Sequence, residues 1–309
     1  MSQQPQAPER FGLEEYQRLL ALLDERRFDE AQVRARVLLE TGSVGALLRA
    51  KIHNLLCWTF IEGNKYATPE AALHGEEAVR LAEFLGERPF QLQAMCNLAS
   101  AYHQLADYEA CRKTYQEMVV HLTSDPSLLP CGLVIAYEGL AQVDLATGNC
   151  AEALVQLETA RSLCREAENR GLLPDVLRRQ ALVLLKLHRH EEAAQSLALI
   201  HEESLATGPR SLWWKTHLAY TRARVELARG HWSQARVLAT AALALARELG
   251  DLPVLAEATC LMALLDHAEG RREALGRARK AVTFAIHSGR RDVVTEVRDR
   301  LRTLNSFEG

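Results

Sequence analysis

Two rows of small residues, each returning every 40 to 42 positions, constrain this 309-residue chain more than anything else in it. The first row is Ala99, Ala141, Ala181, Ala223 and Ala263, at intervals of 42, 40, 42 and 40. The second is Cys111, Ala153, Ala193, Ala235 and Leu275, with Ala31 and Ala71 continuing it backward in steps of 40. Both rows lie in stretches with apolar residues at helical spacing. The clearest is His217–Leu249. Gly230 breaks it, and Trp232, Ala235, Leu238, Ala239, Ala242, Leu245, Ala246 and Leu249 then make one apolar stripe. Small residues let two helix backbones approach closely. A lone helical hairpin cannot bury both its faces, but a stack of hairpins buries a continuous core. The expected fold is therefore all-α, a solenoid of about seven helix pairs.

Turn signals divide the pairs. The first runs over 12–41, turning near Arg26–Arg27–Phe28, and the second over 43–85, with a longer turn at 63–68. There Thr68 is the expected N-cap, with Pro69 at the first helical position. The third pair, 89–122, turns at Ala106–Asp107, and 123–130 is a connector with two prolines. The fourth ends near Arg170, with Gly171 as its C-terminal cap. The fifth spans 173–205 and turns at His188–Arg189; Ala206–Thr207–Gly208–Pro209 is a break. The sixth is the His217–Leu249 stretch. The seventh starts near Pro253 and turns at Gly270–Arg271. A last helix, 290–304, alternates charge in the manner of a terminal cap. The expected organisation is a disordered lead at 1–10, the repeat array at 11–288 and a capping helix and tail at 289–309.

Composition excludes several classes. Charged residues are 25 % and hydrophobic ones 48 %, as in a folded soluble protein. Strand-like alternation of Val, Ile and Thr is missing. Net charge is −3, without the basic bias of a nucleic-acid surface. Arg outnumbers Lys 31 to 6, which reflects base composition or, alternatively, recognition of carboxylates. The seven cysteines contain no C-x-x-C pair and fit a reducing, cytoplasmic setting. The opening residues MSQQPQAPER have no apolar signal-peptide stretch, and no run approaches a membrane span of about 18 residues.

N-L-A-S-A-Y at Asn97–Tyr102, followed by A-D-Y-E-A-C at Ala106–Cys111, resembles the tetratricopeptide repeat. So do G-N-C-A-E-A at Gly148–Ala153 and G-H-W-S-Q-A at Gly230–Ala235. The resemblance covers about Phe11–Ser288, although units of this family usually have 34 residues. The longer form, with A-L-A-L-A-R-E-L-G-D at Ala242–Asp251, is similar to the sensor regions of bacterial regulators of the MalT and AfsR kinds. It is also similar to the peptide-sensing repeats of the Rap and PlcR family. Arg222, Glu226, Gln180 and Leu19 depart from the family pattern. Arg222 and Glu226 imply either a less buried unit or an i, i+4 pair. The regulators carry a helix-turn-helix or a nucleotide-binding module, and neither is visible in this sequence.

No catalytic spacing is present. The phosphate-binding glycine patterns and the G-x-S-x-G elbow are missing. His190–Glu191–Glu192 and His201–Glu202–Glu203 begin like a zinc-binding helix but lack the second His. His188 and His190, beside Glu191, flank a turn as solvated polar groups or as a surface metal site. Trp213–Trp214 reads as core packing of one ring or as an exposed anchor for a partner.

The resemblance implies a right-handed superhelix whose first helices line a concave groove. Positions three before and one after the small alanine then face the groove: Cys96 and Ser100, Glu138 and Gln142, Arg178 and Leu182, Tyr220 and Arg224, Cys260 and Leu264. One turn earlier stand Gln93, His217 and Glu257, and His53 is the match in the second unit. Arg178 and Arg224 suit a carboxylate, and Gln93 and Gln142 suit a peptide backbone. A solvated wall or an inter-repeat salt bridge is the alternative for each residue. The Lys–Asn carboxylate clamp of chaperone-type repeats is missing. The expected function is a non-enzymatic scaffold for a peptide or protein in the concave groove, a bacterial signalling sensor or adaptor. The alternative is a transcriptional or sporulation-type regulator without a recognisable DNA-binding domain. No cofactor, metal, membrane or direct nucleic-acid partner is expected, and a homodimer is open.

Overall fold

A computed structural model describes residues 7–41, 44–62, 68–125, 130–166, 171–201 and 211–302. These residues form fifteen helices and no strand. They are α1 (Ala7–Asp24), α2 (Phe28–Glu40), α3 (Ala46–Glu62), α4 (Pro69–Leu85), α5 (Arg88–Gln104), α6 (Tyr108–Ser124), α7 (Pro130–Ala146) and α8 (Cys150–Glu166). They continue with α9 (Leu173–Lys186), α10 (His190–Ala198), α11 (Ser211–Ala228), α12 (Trp232–Leu249), α13 (Leu252–Ala268), α14 (Ala274–His287) and α15 (Arg291–Leu301). Consecutive helices pack as hairpins, from α1 on α2 to α13 on α14, with α15 against α13 and α14. The fold class is an all-α helix-pair repeat.

Second helices share a buried stripe stepped by four, three and four residues, complete in α4, α6, α8, α12 and α14 and shortened in α2 and α10. In α12 it is Ala235, Ala239, Ala242 and Ala246; in α8, Ala153, Leu157, Ala160 and Cys164; in α6, Cys111, Tyr115, Met118 and Leu122. In α4 the stripe is Ala71, Gly75, Ala78 and Ala82. Gly75 allows close approach there, because a Cβ would sit 3.0 Å from Leu98 Cδ1 and 3.1 Å from Cys57 Sγ and force those side chains to shift. The opposite face is solvent-exposed even where apolar, as at Val33, Leu73, Val155 and Val237. First helices are buried on more than one side: in α13, Val254, Leu255, Ala256, Ala258, Cys260, Leu261, Met262 and Ala263 are all covered. Burial pushes the thiols of Cys57, Cys111 and Cys260 up to about 12, so they pack as small apolar groups.

Inside each described hairpin the turn residue is left-handed. It is glycine at Gly148, Gly230 and Gly270 but Arg26, Ala106 and His188 in the first, third and fifth pairs, with φ of 57°, 59° and 58°. The bonding is alike in both kinds. His231 N–H donates to the Glu226 carbonyl at 2.9 Å, and Asp107 N–H to the Tyr102 carbonyl at 2.9 Å. This is the six-to-one closure of a helix end.

All five alanines of the first row are buried, and so is the second row as far as Ala235. Leu275 is not: it is 40 % exposed. Helix α14 opens at Ala274, without the extra turn that precedes Ala235 in α12. Its stripe is therefore Ala274, Ala278, Ala281 and Ala285, and it follows α12 by 39 positions. Helix α1 reaches back to Ala7, so 7–10 belong to it rather than to a disordered lead. Thr68 holds the N-cap position before Pro69, but its hydroxyl makes no hydrogen bond. Asp107 and Asp251 do cap by side chain, accepting from Ala110 N–H at 3.1 Å and Val254 N–H at 2.9 Å. The expected lead at 1–6, the 63–67 turn, the connector residues 126–129, the end of the fourth pair at 167–170, the 206–209 break and the tail from 303 lie outside the described residues, whereas Pro130, expected in the connector, opens α7.

Two compact units divide the chain, residues 1–128 and 129–309. In the first unit α3 packs on α1 and α5, a layer of first helices. In the second, α7, α9, α11, α13 and α15 each pack on the next, a second such layer.

Candidate functional site

The first-helix layer of the second unit concentrates buried charge, contributed by one to three side chains per helix. On α9, Arg178 and Arg179 point to different partners. Arg178 Nη2 donates to Asp175 Oδ1 at 2.9 Å, and its guanidinium lies 5.7 Å from the Trp213 ring centroid of α11. Only 6 % of Arg178 is exposed, and its Nε has no hydrogen-bond partner. Arg179 pairs with Glu138 of α7 and abuts the Gln142 amide, whose oxygen accepts from it when turned inward. Burial pushes Glu138 up despite Arg179. Burial also acts on Asp175, but Arg178 and Arg179 outweigh it and hold that carboxyl below its ordinary value.

Next along the layer, His217 stacks on Trp213 with ring centroids 4.1 Å apart. Its Nε2 lies 3.2 Å from Asp251 Oδ2, at the start of α13. Burial drives His217 below the usual imidazole value against the pull of Asp251, so the ring is neutral at pH 7. Burial raises Asp251 in turn, and the His217 contact with the Val254 N–H bond outweighs it. Trp214, by contrast, packs on the core around Leu177, Leu197 and Leu218. Trp214 thus takes the core-packing role expected of one ring, while Trp213 is half-buried against Arg178 and His217.

A second cluster gathers around α15. Tyr220 of α11 is buried, and its hydroxyl accepts from Arg300 Nη1 at 2.7 Å. Arg224 lies over the Tyr220 ring at 5.7 Å. Glu296 of α15 meets three cations: Arg300 Nη2 at 2.5 Å, Lys186 Nζ at 3.1 Å and Arg224 Nη2 at 3.8 Å. Glu257 of α13 lies in the field of Arg300, Arg224 and Arg290, yet burial raises its pKa. Helix axes in contact are about 8–10 Å apart, so a flat layer would set α9 and α15 about 25–30 Å apart. Lys186 and Glu296 cannot span that, and the layer of this unit is therefore bent until its members meet across α11 and α13.

Of the residues selected in sequence, Glu138, Gln142, Arg178, His217, Tyr220, Arg224 and Glu257 lie on four adjacent first helices of this layer. Glu138, Arg178 and Arg224 are engaged in salt bridges. His53, Gln93 and Ser100 belong to the first unit. There His53 Nδ1 is 2.9 Å from His74 Nδ1 of α4, Gln93 is exposed, and the Ser100 hydroxyl donates to the Cys96 carbonyl at 2.9 Å. Desolvation first, then His74, lowers His53 to about 4. Sequence reasoning passed over Asp175, Arg179, Asp251, Glu296 and Arg300. The i, i+4 spacing of Glu296 and Arg300, beside the apolar Val293, Val297 and Leu301, is the signal for the last two. Glu226 bonds Arg229 Nη1 at 3.1 Å and His231 Nδ1 at 2.6 Å, which accounts for a charge at that position.

Among the described residues no group of three or more His, Cys, Asp or Glu is placed to hold a metal ion. Nor is any helix among them long and apolar enough to cross a membrane.

No protein-family model and no curated protein matches the chain. Solved structures do. The apo form of RapI aligns over 94 % of this chain and 99 % of its own, with a TM-score of 0.66 and 10 % identity. A Rap protein complexed with Competence and Sporulation Factor aligns over 99 % of this chain and 88 % of its own, with a TM-score of 0.65 and 13 % identity. The apo quorum sensor NprR from B. thuringiensis covers 97 % and 83 %, with a TM-score of 0.55 and 13 % identity. The chain has a tetratricopeptide-like fold of the Rap and NprR type.

Proposed function

We propose that this protein is a non-enzymatic scaffold that holds a peptide or protein segment against the first-helix layer of residues 129–309. The observation that carries it is the row of polar and aromatic side chains on successive first helices: Arg178, Trp213, His217, Arg224 and Glu257. They stand beside the apolar core, which the second-helix stripes and first-helix residues such as Leu177, Leu218, Leu261 and Leu265 supply together. Ionic and aromatic side chains in register along a layer suit an extended chain, which presents a charged or amide group at each step. The likeness to a Rap protein crystallised with Competence and Sporulation Factor, and to the quorum sensor NprR, fits a peptide ligand and a role as bacterial sensor or adaptor. In this reading 11–288 is the repeat array, α15 is its terminal cap, and seven cysteines without a C-x-x-C pair suit the cytoplasm.

The test is selection of random heptapeptides on the purified full chain, followed by hydrogen exchange of the complexes. Selected peptides slow exchange in α9, α11 and α13, and they bind the Arg178→Ala/Arg224→Ala variant about tenfold more weakly. Peptides that bind both proteins equally, without protecting those helices, would remove the reading.

A further inference from the structure

The α15 cluster is built differently from the other charge pairs of the second unit. Most of those are one acid with one or two guanidiniums. Glu296 instead has cations from three helices, Lys186 at the end of α9, Arg224 of α11 and Arg300 of α15, all within 3.8 Å of its carboxylate oxygens. It is the point at which α15 reaches α9, two helices beyond its neighbour. Its side chain is 27 % exposed, so solvent reaches the carboxylate that the cations surround. The other acid nearby, Glu257, makes no salt bridge within 4 Å, and burial favours its neutral form. Glu296 is thus a solvent-reached carboxylate at the meeting point of cations from three helices.

We infer that Glu296 holds the place of a ligand carboxylate, and that an acidic side chain or C-terminus of a bound peptide displaces it from Lys186, Arg224 and Arg300. This rests on the scaffold reading above and names the ligand chemistry and its control. The displaced Glu296 swings to solvent. The bridge between α9 and α15 opens as the ligand takes over the cations, so α15 acts as a latch over this end of the layer. Burial raises Glu296, but Arg300, Arg224 and Lys186 outweigh it and hold the carboxyl at about 2, which keeps the latch charged at neutral pH.

The probe is N-acetyl-tetraglutamate, with N-acetyl-tetraglutamine as control, titrated into the full chain at low salt. Glu296→Gln keeps the shape and removes the competing charge, so tetraglutamate binds it about tenfold more tightly than wild type. Lys186→Met breaks the same bridge from the other side and removes a cation, so it brings no gain, and added to Glu296→Gln it cancels the gain. Thermal melts of each variant confirm that α15 stays folded. Unchanged binding in Glu296→Gln, equal gain in Lys186→Met, or equal binding of tetraglutamine would overturn the inference. Selected heptapeptides that lack acidic residues yet protect α9, α11 and α13 would keep the scaffold and discard the latch.

Discussion

The two units use the same stripes and the same turns, yet they fill their first helices with different polar chemistry. In the first unit the internal contacts are neutral. His53 meets His74, Asn97 Nδ2 donates to Asn54 Oδ1 at 2.8 Å, and Gln104 Nε2 donates to the Ile61 carbonyl at 3.3 Å. In the second they are ionic: Glu138 with Arg179, Asp175 with Arg178, Glu296 with three cations, and the fully buried Asp266 between Arg236 at 2.8 Å and Arg277 at 2.6 Å. The polar content of the first helices thus differs between units that share the same apolar contacts between helices. Neutral groups satisfy one another and stop there. A buried charge is tolerated only with a partner, and here the partner often stands on another helix pair.

The largest expected effect separates the two kinds of interior. Arg179→Met strands the Glu138 carboxylate in a buried site and lowers stability by about 3 kcal/mol, read from the urea midpoint. Adding Glu138→Gln restores more than half. An unchanged midpoint in the single variant would show that the ionic interior is dispensable.

Acid should divide the units next. An unfolded histidine titrates near 6.5 and His53 in the fold at about 4, so the unfolded chain binds the proton first. Stability tied to His53 is complete above pH 6.5 and is lost as pH falls toward 4, by about 2 kcal/mol once solvent screening is allowed for. Glu296 is depressed from 4.5 to about 2, so its contribution is complete above pH 4.5 and is lost only below that. Amide protection in α3 and α4 at pH 5 therefore falls before that of α15, which carries Glu296, and His53→Gln flattens the difference. Simultaneous loss in both units would erase the contrast.

The smallest effect concerns what the units share. His188 holds a left-handed turn that glycine holds at Gly148 and Gly230. Relief of that strain exceeds the entropy that glycine adds to the unfolded chain, so His188→Gly gains about 0.5–1 kcal/mol. A drop in melting temperature would mean that the imidazole contributes more than its backbone costs.

Much of the fold was legible because helix contacts demand small residues at fixed intervals, and Ala99, Ala141, Ala181, Ala223 and Ala263 stand at those contacts. Leu275 misled because periodicity locates a stripe but not the residue at which a helix opens; α14 simply starts later. Register also led to Arg178, His217, Tyr220 and Arg224, which share a helix face with the alanines. It passed over Arg179, one position further round α9, because a first helix is enclosed on several sides and its useful face is wider than one stripe. It passed over Glu296 and Arg300 because charge at a chain terminus looks like solubility until the bend of the layer brings α9 within reach.

That bend has a consequence for how the second unit comes apart. In a linear stack each hairpin feels only its neighbours, and the end frays without notice further in. The Lys186–Glu296 tie closes α9, α11, α13 and α15 into a ring. A disturbance at the last helix then has a second route to the middle of the unit, through α9 as well as through α13.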